Sequence, residues 1–235
     1  MDAGSSEEFW DVIRGRLPRT RMLVREFKRI VADAGSKGLR GTTIRIAASL
    51  SSLAISDHEP PDPKLGGEYI EALLAERNAL RTALLHGAKL KAILNPPRRF
   101  AQAMLPQRMQ ARYRRLIGLL KGRSDIRRNP RAAREDVQAM SRCEFALSPV
   151  PTPNLFIIGN KVAFEGMKRA GTAGFEMTHC ETSSEGVREL VEQFDNNFEQ
   201  SRQDMIQIHP PDGRLAEQLQ KFCDDAGGEN ATRKK

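Results

Sequence analysis

Twelve of the chain's 38 lysines and arginines fall between Pro96 and Glu135, against two acidic residues, so this stretch alone carries +10. It is mostly arginine, whose planar fork matches phosphate oxygens in pairs. Within residues 98–134, Arg108, Arg112, Arg115, Arg127 and Arg128 are the candidates for gripping a nucleic-acid backbone or another anionic partner. A solvated helix face followed by a basic loop has the same composition, so the charge run leaves both readings open. Phe100 and Tyr113 are its only aromatics, too few for a platform that stacks single-stranded bases.

A second group of candidates lies around a short apolar hairpin pattern: Thr152, Asn154, Lys161, Lys168 and Arg169, followed by Gly171 and Gly174. Hydroxyl, amide and cations in one place suit the binding of an anion, and cations flanking a solvated turn are the plainer alternative. Other pairings fail on geometry. His179 and Cys180 are adjacent in a strand pattern, so their side chains leave opposite faces and cannot act on one substrate atom. His58 stands with Asp57, Glu59 and Asp62 in a proline-rich loop, where oxygen ligands are ordinarily just solvated, so no metal is assigned. The run Gly35 to Gly41 lacks the Gly-Lys-Ser/Thr ending of a nucleotide phosphate loop. Cys143, Cys180 and Cys223 are odd in number and widely spaced, which reads as reduced thiols without a disulfide framework or zinc site. No cofactor motif is found.

These residues must be positioned by alternating strands and helices. The chain has 235 residues, 39% of them hydrophobic, enough for one substantial core. No apolar run approaches the roughly 18 residues of a membrane span, and the first residues, Met1 to Phe9, lack the basic and apolar regions of a secretory signal, so a cytoplasmic protein is expected. Glu7 to Ala34 reads as one or two helices interrupted by Pro18, with Met22, Leu23, Phe27, Ile30 and Val31 on one face. Thr43 to Ala48 and Leu90 to Leu94 read as strands flanking a long amphipathic helix that starts near Glu68 and is capped by Gly87. Met109, Tyr113, Leu116, Ile117 and Leu120 mark a helix that carries the basic face, and Arg123 to Arg131 reads as a loop. Glu144 to Leu147, Leu155 to Ile158, Val162 to Phe164 and Phe175 to Thr178 are short strand candidates, with Gly159 and Asn160 at a hairpin turn. Val187, Leu190, Val191, Phe194 and Phe198 line a last core helix opening at Ser183 or Ser184. The pattern predicts a single α/β domain whose mixed sheet carries helices on both faces. It spans residues 43–206, preceded by an N-terminal helical segment, 1–42, and followed by a short helix and tail, 207–235.

The stretch Thr152 to Gly166, TPNLFIIGNKVAFEG, resembles the core hairpin of the phospholipase D superfamily, in which His-x-Lys-x4-Asp on one strand leads through a turn to a return strand ending in Gly-Ser. The order of elements is similar too: a strand (TIRIAA), a long helix, a strand ending at an Asn-Pro (LKAILNP), a further helix, the hairpin, and a strand (GFEMTHC) leading into a helix that ends in aromatics. That chemistry requires a histidine nucleophile and a lysine that holds the phosphate. In register, Thr152 stands at the histidine position, Asn154 at the lysine position, Gly159 at the aspartate position and Met167 at the serine position. His86, followed by Lys89, has the wrong spacing and the wrong element. The resemblance therefore implies a member of the fold without catalytic residues, acting as a ligand-sensing or regulatory module that binds an anionic ligand or partner. Because the family pairs two such halves, it also implies a homodimer. The alternative is a homodimeric nuclease or phosphodiesterase, or a nucleic-acid-binding protein, that uses the arginine-rich region.

Overall fold

The computed structural model describes residues 11–48, 52–57, 59, 61–62, 64–94, 107–122, 130–148, 152–167, 177–204, 216–217 and 219–220. In chain order these form β1 (Asp11–Arg14), α1 (Arg16–Ala34), β2 (Thr43–Ala48), α2 (Gly66–Leu85), β3 (Lys89–Leu94), α3 (Gln107–Leu120), α4 (Pro130–Met140), β4 (Cys143–Leu147), β5 (Asn154–Ile158), β6 (Val162–Met167), β7 (Met177–Glu181) and α5 (Ser184–Asp204). The seven strands make one sheet in the order β1-β7-β6-β5-β2-β3-β4. Strands β2, β3 and β4 are mutually parallel, because α2 and then α3 with α4 return the chain to the same end between them. The rest pair antiparallel.

Strand alternation divides the core. Ile44, Ile46, Leu90, Phe145, Phe156 and Phe164 lie on the face covered by α1 to α4, packed with Leu23, Phe27, Leu80, Leu84, Tyr113 and Leu116. Ala47, Ile93, Ala146, Leu155, Ile157 and Ala163 lie on the other face beneath Val187, Phe194 and Phe198 of α5. The expected mixed sheet with helices on both faces is the fold observed. Gly87 ends α2 as the sequence suggests, at φ +108°, with its N–H donating to the Leu84 carbonyl at 3.0 Å.

Four expectations are corrected. Asp11–Arg14 form no part of a helix but strand β1, which pairs with β7 at the sheet edge, and α1 behind it buries Leu23 and Phe27 completely. Pro18 does not interrupt α1, because it occupies the first turn, where a missing N–H costs no helical hydrogen bond. Arg131 belongs to no loop but to α4, which Pro130 opens and in which Ala133, Asp136, Ala139 and Met140 are buried at helical spacing. Strand β7 runs on past the expected end at Thr178 to Glu181 and holds both His179 and Cys180, with Cys180 buried and His179 half-buried on the opposite face. Ala216 and Leu219, from the C-terminal segment, also join the main core.

The start of α5 depends on a close approach. Glu181 Oε1 accepts the Ser183 N–H at 2.7 Å, and a Cβ on Gly186 would stand 2.5 Å from Glu181 Oε2. Glu181 is 6% exposed and has little room to withdraw. Gly186→Ala, which in an open helix would gain about 1 kcal/mol, should therefore lower the melting temperature, and thermal denaturation followed by circular dichroism checks this.

Candidate functional site

The strand registers bring the carboxyl ends of β2, β3 and β4 (Ala48, Leu94, Leu147) to the same end of the sheet as the first residue of β5, Asn154. Crevices outside the carboxyl ends of the strands of an open α/β sheet are a usual place for ligands. Asn154 pairs with Gly166 across the hairpin. Its Oδ1 accepts a 3.0 Å hydrogen bond from Arg19 Nη2 of α1, whose guanidinium also lies 5.9 Å from the Phe156 ring. Arg19 is 7% exposed and Glu76 of α2 is 4% exposed, and the two charges attract each other within the core. Burial lowers the arginine's pKa and raises that of the Glu76 carboxyl, with each partner's charge pulling against the shift. The position that the resemblance assigns to a phosphate-holding lysine thus holds a neutral amide whose oxygen is already engaged. Thr152, half-buried, borders a narrow crevice with Leu155, Glu165, Phe194 and Asn197 on the α5 face.

Lys161 is not part of this arrangement. It stands in the β5–β6 turn at the opposite end of β5, exposed, with Nζ 3.9 Å from Asp33 Oδ2. Thr152, Asn154 and Lys161 were expected to line one pocket. A strand advances about 3.3 Å per residue, so the length of β5 separates them. Lys168 and Arg169 lie outside the described residues.

The arginine-rich stretch is also reorganised. Arg112 is neither a solvated nor an open cation: its Nε lies 2.9 Å from both carboxylate oxygens of Glu59, Nη2 also engages that group, and the Glu59 side chain is 2% exposed. Arg115 Nη2 donates to Asp136 Oδ2 at 3.1 Å, and burial lowers its pKa against the pull of Asp136. On α2, Arg77 donates to Asp57 at 2.5 Å and to the Ile55 carbonyl at 2.9 Å, while Arg81 reaches Asp136 at 3.4 Å. The physical reason is the apolar stripe of α3. Tyr113, Leu116, Ile117 and Leu120 turn inward, and Arg112 and Arg115 flank them closely enough to reach acidic groups at the seam with α2 and α4. The acidic loop is used the same way, with Asp57 and Glu59 holding arginines and Asp62 Oδ1 accepting the N–H groups of Lys64 and Leu65. Arg114, Lys121, Arg131 and Arg134 remain exposed. Arg127 and Arg128 lie outside the described residues, as does the side chain of Arg108 in α3.

A third charged group was not anticipated from the sequence. Arg45 on β2, 8% exposed, donates to Asp195 of α5 through Nε at 3.1 Å and Nη2 at 2.8 Å, and Lys91 of β3 adds a contact at 3.3 Å. Burial pushes the Asp195 carboxyl up, but Arg45 and Lys91 outweigh it and hold the group below the usual carboxylate range. The Cys143 thiol, wholly buried, is pushed up by desolvation and is inert at neutral pH. No group of His, Cys, Asp and Glu among the described residues has the geometry to hold a metal ion. Nor is any described helix long and apolar enough to cross a membrane.

No protein-family model matches the chain, and no curated protein matches it in sequence. Among solved structures it is similar to TrmBL2, described as an archaeal chromatin protein whose structure shows a novel mode of DNA binding. The identity is 11% and the TM-score 0.42, over 88% of this chain and 56% of that one. This chain thus spans little more than half the length of that protein.

Proposed function

We propose that the protein is a phospholipase D-like module without catalytic activity, which binds an anionic ligand and serves as a cytoplasmic sensor or regulator, acting as a homodimer. The observation that carries this reading is the Arg19–Asn154 contact. Where phosphoryl transfer needs a free cation beside a nucleophile, there is an amide held by an arginine whose own charge faces Glu76. The order β2, α2, β3, α3, hairpin, β7, α5 supports the same reading, with α4 and β4 as additions to the expected series. A second reading, nucleic-acid binding, rests on Arg114, Lys121, Arg131 and Arg134, which are exposed on α3 and α4 and just after α3.

One set of assays separates these readings. The purified protein should leave bis(p-nitrophenyl) phosphate, DNA and RNA intact; cleavage that disappears in His179→Ala or His86→Ala would overturn the non-catalytic reading. Fluorescence polarisation with labelled DNA across a salt series tests the second reading. A steep linear fall of log affinity with log salt would favour the nucleic-acid reading, whereas binding of a small anion should depend far less on salt.

A further inference from the structure

At the amino end of β2, opposite the Asn154 end, an open cleft of about 500 Å³ lies between the end of α1 and the β5–β6 turn. That volume falls within the range of small-molecule sites. Its polar lining is Asp33, Thr42, Thr43, Arg45, Asn160 and Lys161, set over Ile30 and Ile158. We propose that this cleft is the protein's anion site and takes a small organic molecule bearing a phosphate or a carboxylate. The proposal rests on the reading of the chain as an anion-binding module and gives that reading a location.

Three observations converge. Arg45 lines the cleft and is fixed in place, because Asp195 grips its Nε and Nη2. Lys161 carries a mobile charge at the rim: its contact with Asp33 is long, 3.9 Å, and the two side chains are 58% and 51% exposed, so a ligand can take the lysine at little cost. Between them, the hydroxyls of Thr42 and Thr43 and the amide of Asn160 supply neutral hydrogen-bonding groups beside an apolar floor, the combination that orients a small polar ligand. The charges facing the cleft are Arg45, Lys161 and Asp33. Asp33 also lies 3.9 Å from Arg29, and it opposes an anion in this position.

The test is calorimetric titration with glycerol 3-phosphate and with glutarate, using glycerol as the neutral control, and with bound positions mapped by amide-resolved NMR. The wild-type chain should bind at least one of the two anions, with shifts at Thr43, Gly159, Asn160 and Lys161; which of the two binds distinguishes phosphate from carboxylate recognition. Lys161→Gln should weaken binding about tenfold, the value of one hydrogen bond to a charged group. Asp33→Asn should tighten it. Both side chains are exposed, so both variants should melt as the wild type does. An anion that binds all three proteins equally, with shifts elsewhere, overturns the cleft and leaves the anion-binding reading standing. Neither anion binding to the wild-type chain overturns both.

Discussion

Glu76→Ala should be among the most damaging single substitutions in this protein, costing about 3–5 kcal/mol, because it leaves the Arg19 guanidinium charged, buried and without its counterion. The two side chains sit at 4% and 7% exposure, so water cannot replace the missing carboxylate without opening the seam between α1 and α2. For a chain of this size the loss corresponds to roughly 2–4 °C in melting temperature per kcal/mol. The double replacement Arg19→Met with Glu76→Leu, which removes both charges and roughly keeps the volume, should recover most of it. Recovery is expected because desolvation offsets much of the attraction within a buried pair. Glu76→Gln, which also removes the countercharge but keeps shape and hydrogen-bonding groups, should cost somewhat less than Glu76→Ala. The pH dependence follows from the direction of the shift. The Glu76 pKa is raised in the folded state, so the folded protein binds this proton more tightly than the unfolded chain. The associated stability is fully present below the unfolded carboxyl pKa and is lost as pH rises through the folded value. The stability difference between wild type and Glu76→Gln should therefore move in favour of the glutamine variant over that window. Denaturant titrations across acidic to neutral pH measure this, and a difference that does not change with pH would refute it.

That pair also shows where sequence reasoning reaches its limit. The hairpin was legible because its apolar strands flank Gly159 and Asn160, and α2 because Tyr69, Leu73, Leu80 and Leu84 recur on one face. Glu76 falls on that same stripe, three residues after Leu73 and four before Leu80. Arg19 stands four residues before Leu23, and Arg45 interrupts the apolar run of β2 between Ile44 and Ile46. A charge on a buried face is therefore a signal that sequence alone can provide. Which charges meet is not, since Arg19 reaches Asn154 across 135 residues and Arg45 reaches Asp195 across 150. The same limit hid the fate of Arg112 and Arg115: a count of charges says nothing about the acids from other elements that neutralise them. Two elements left little trace. β1 is a four-residue edge strand with charged ends, and α4 buries two alanines, Asp136 and Met140 within an arginine-rich stretch, so neither presents a stripe of large apolar residues.

Removing residues 1–42 should abolish cooperative folding, although the sequence pattern alone makes 43–206 look like a complete domain. The truncation removes β1, which leaves the backbone of β7 unpaired at a sheet edge. It also removes α1, whose Leu23 and Phe27 are fully buried and whose Ile30 is 4% exposed, so the sheet face beneath loses its cover. Phe27 meets Phe156 of β5 edge-on, with ring centroids 5.7 Å apart, which ties the N-terminal helix to the strand that carries Asn154. Phe27→Ala alone should cost about 3–5 kcal/mol, the range for a buried aromatic replaced by a cavity. The truncation adds the loss of Arg19, which leaves Glu76 buried without its counterion and pushes the carboxyl further toward its neutral form. A fragment of residues 43–235 should therefore show no sharp thermal transition and poor dispersion in its amide spectrum. A cooperatively melting fragment would mean that α1 and β1 dock on a core able to stand without them. In that case the Arg19–Asn154 contact would be an interface that opens, and the hairpin end of the sheet could be uncovered to receive a ligand.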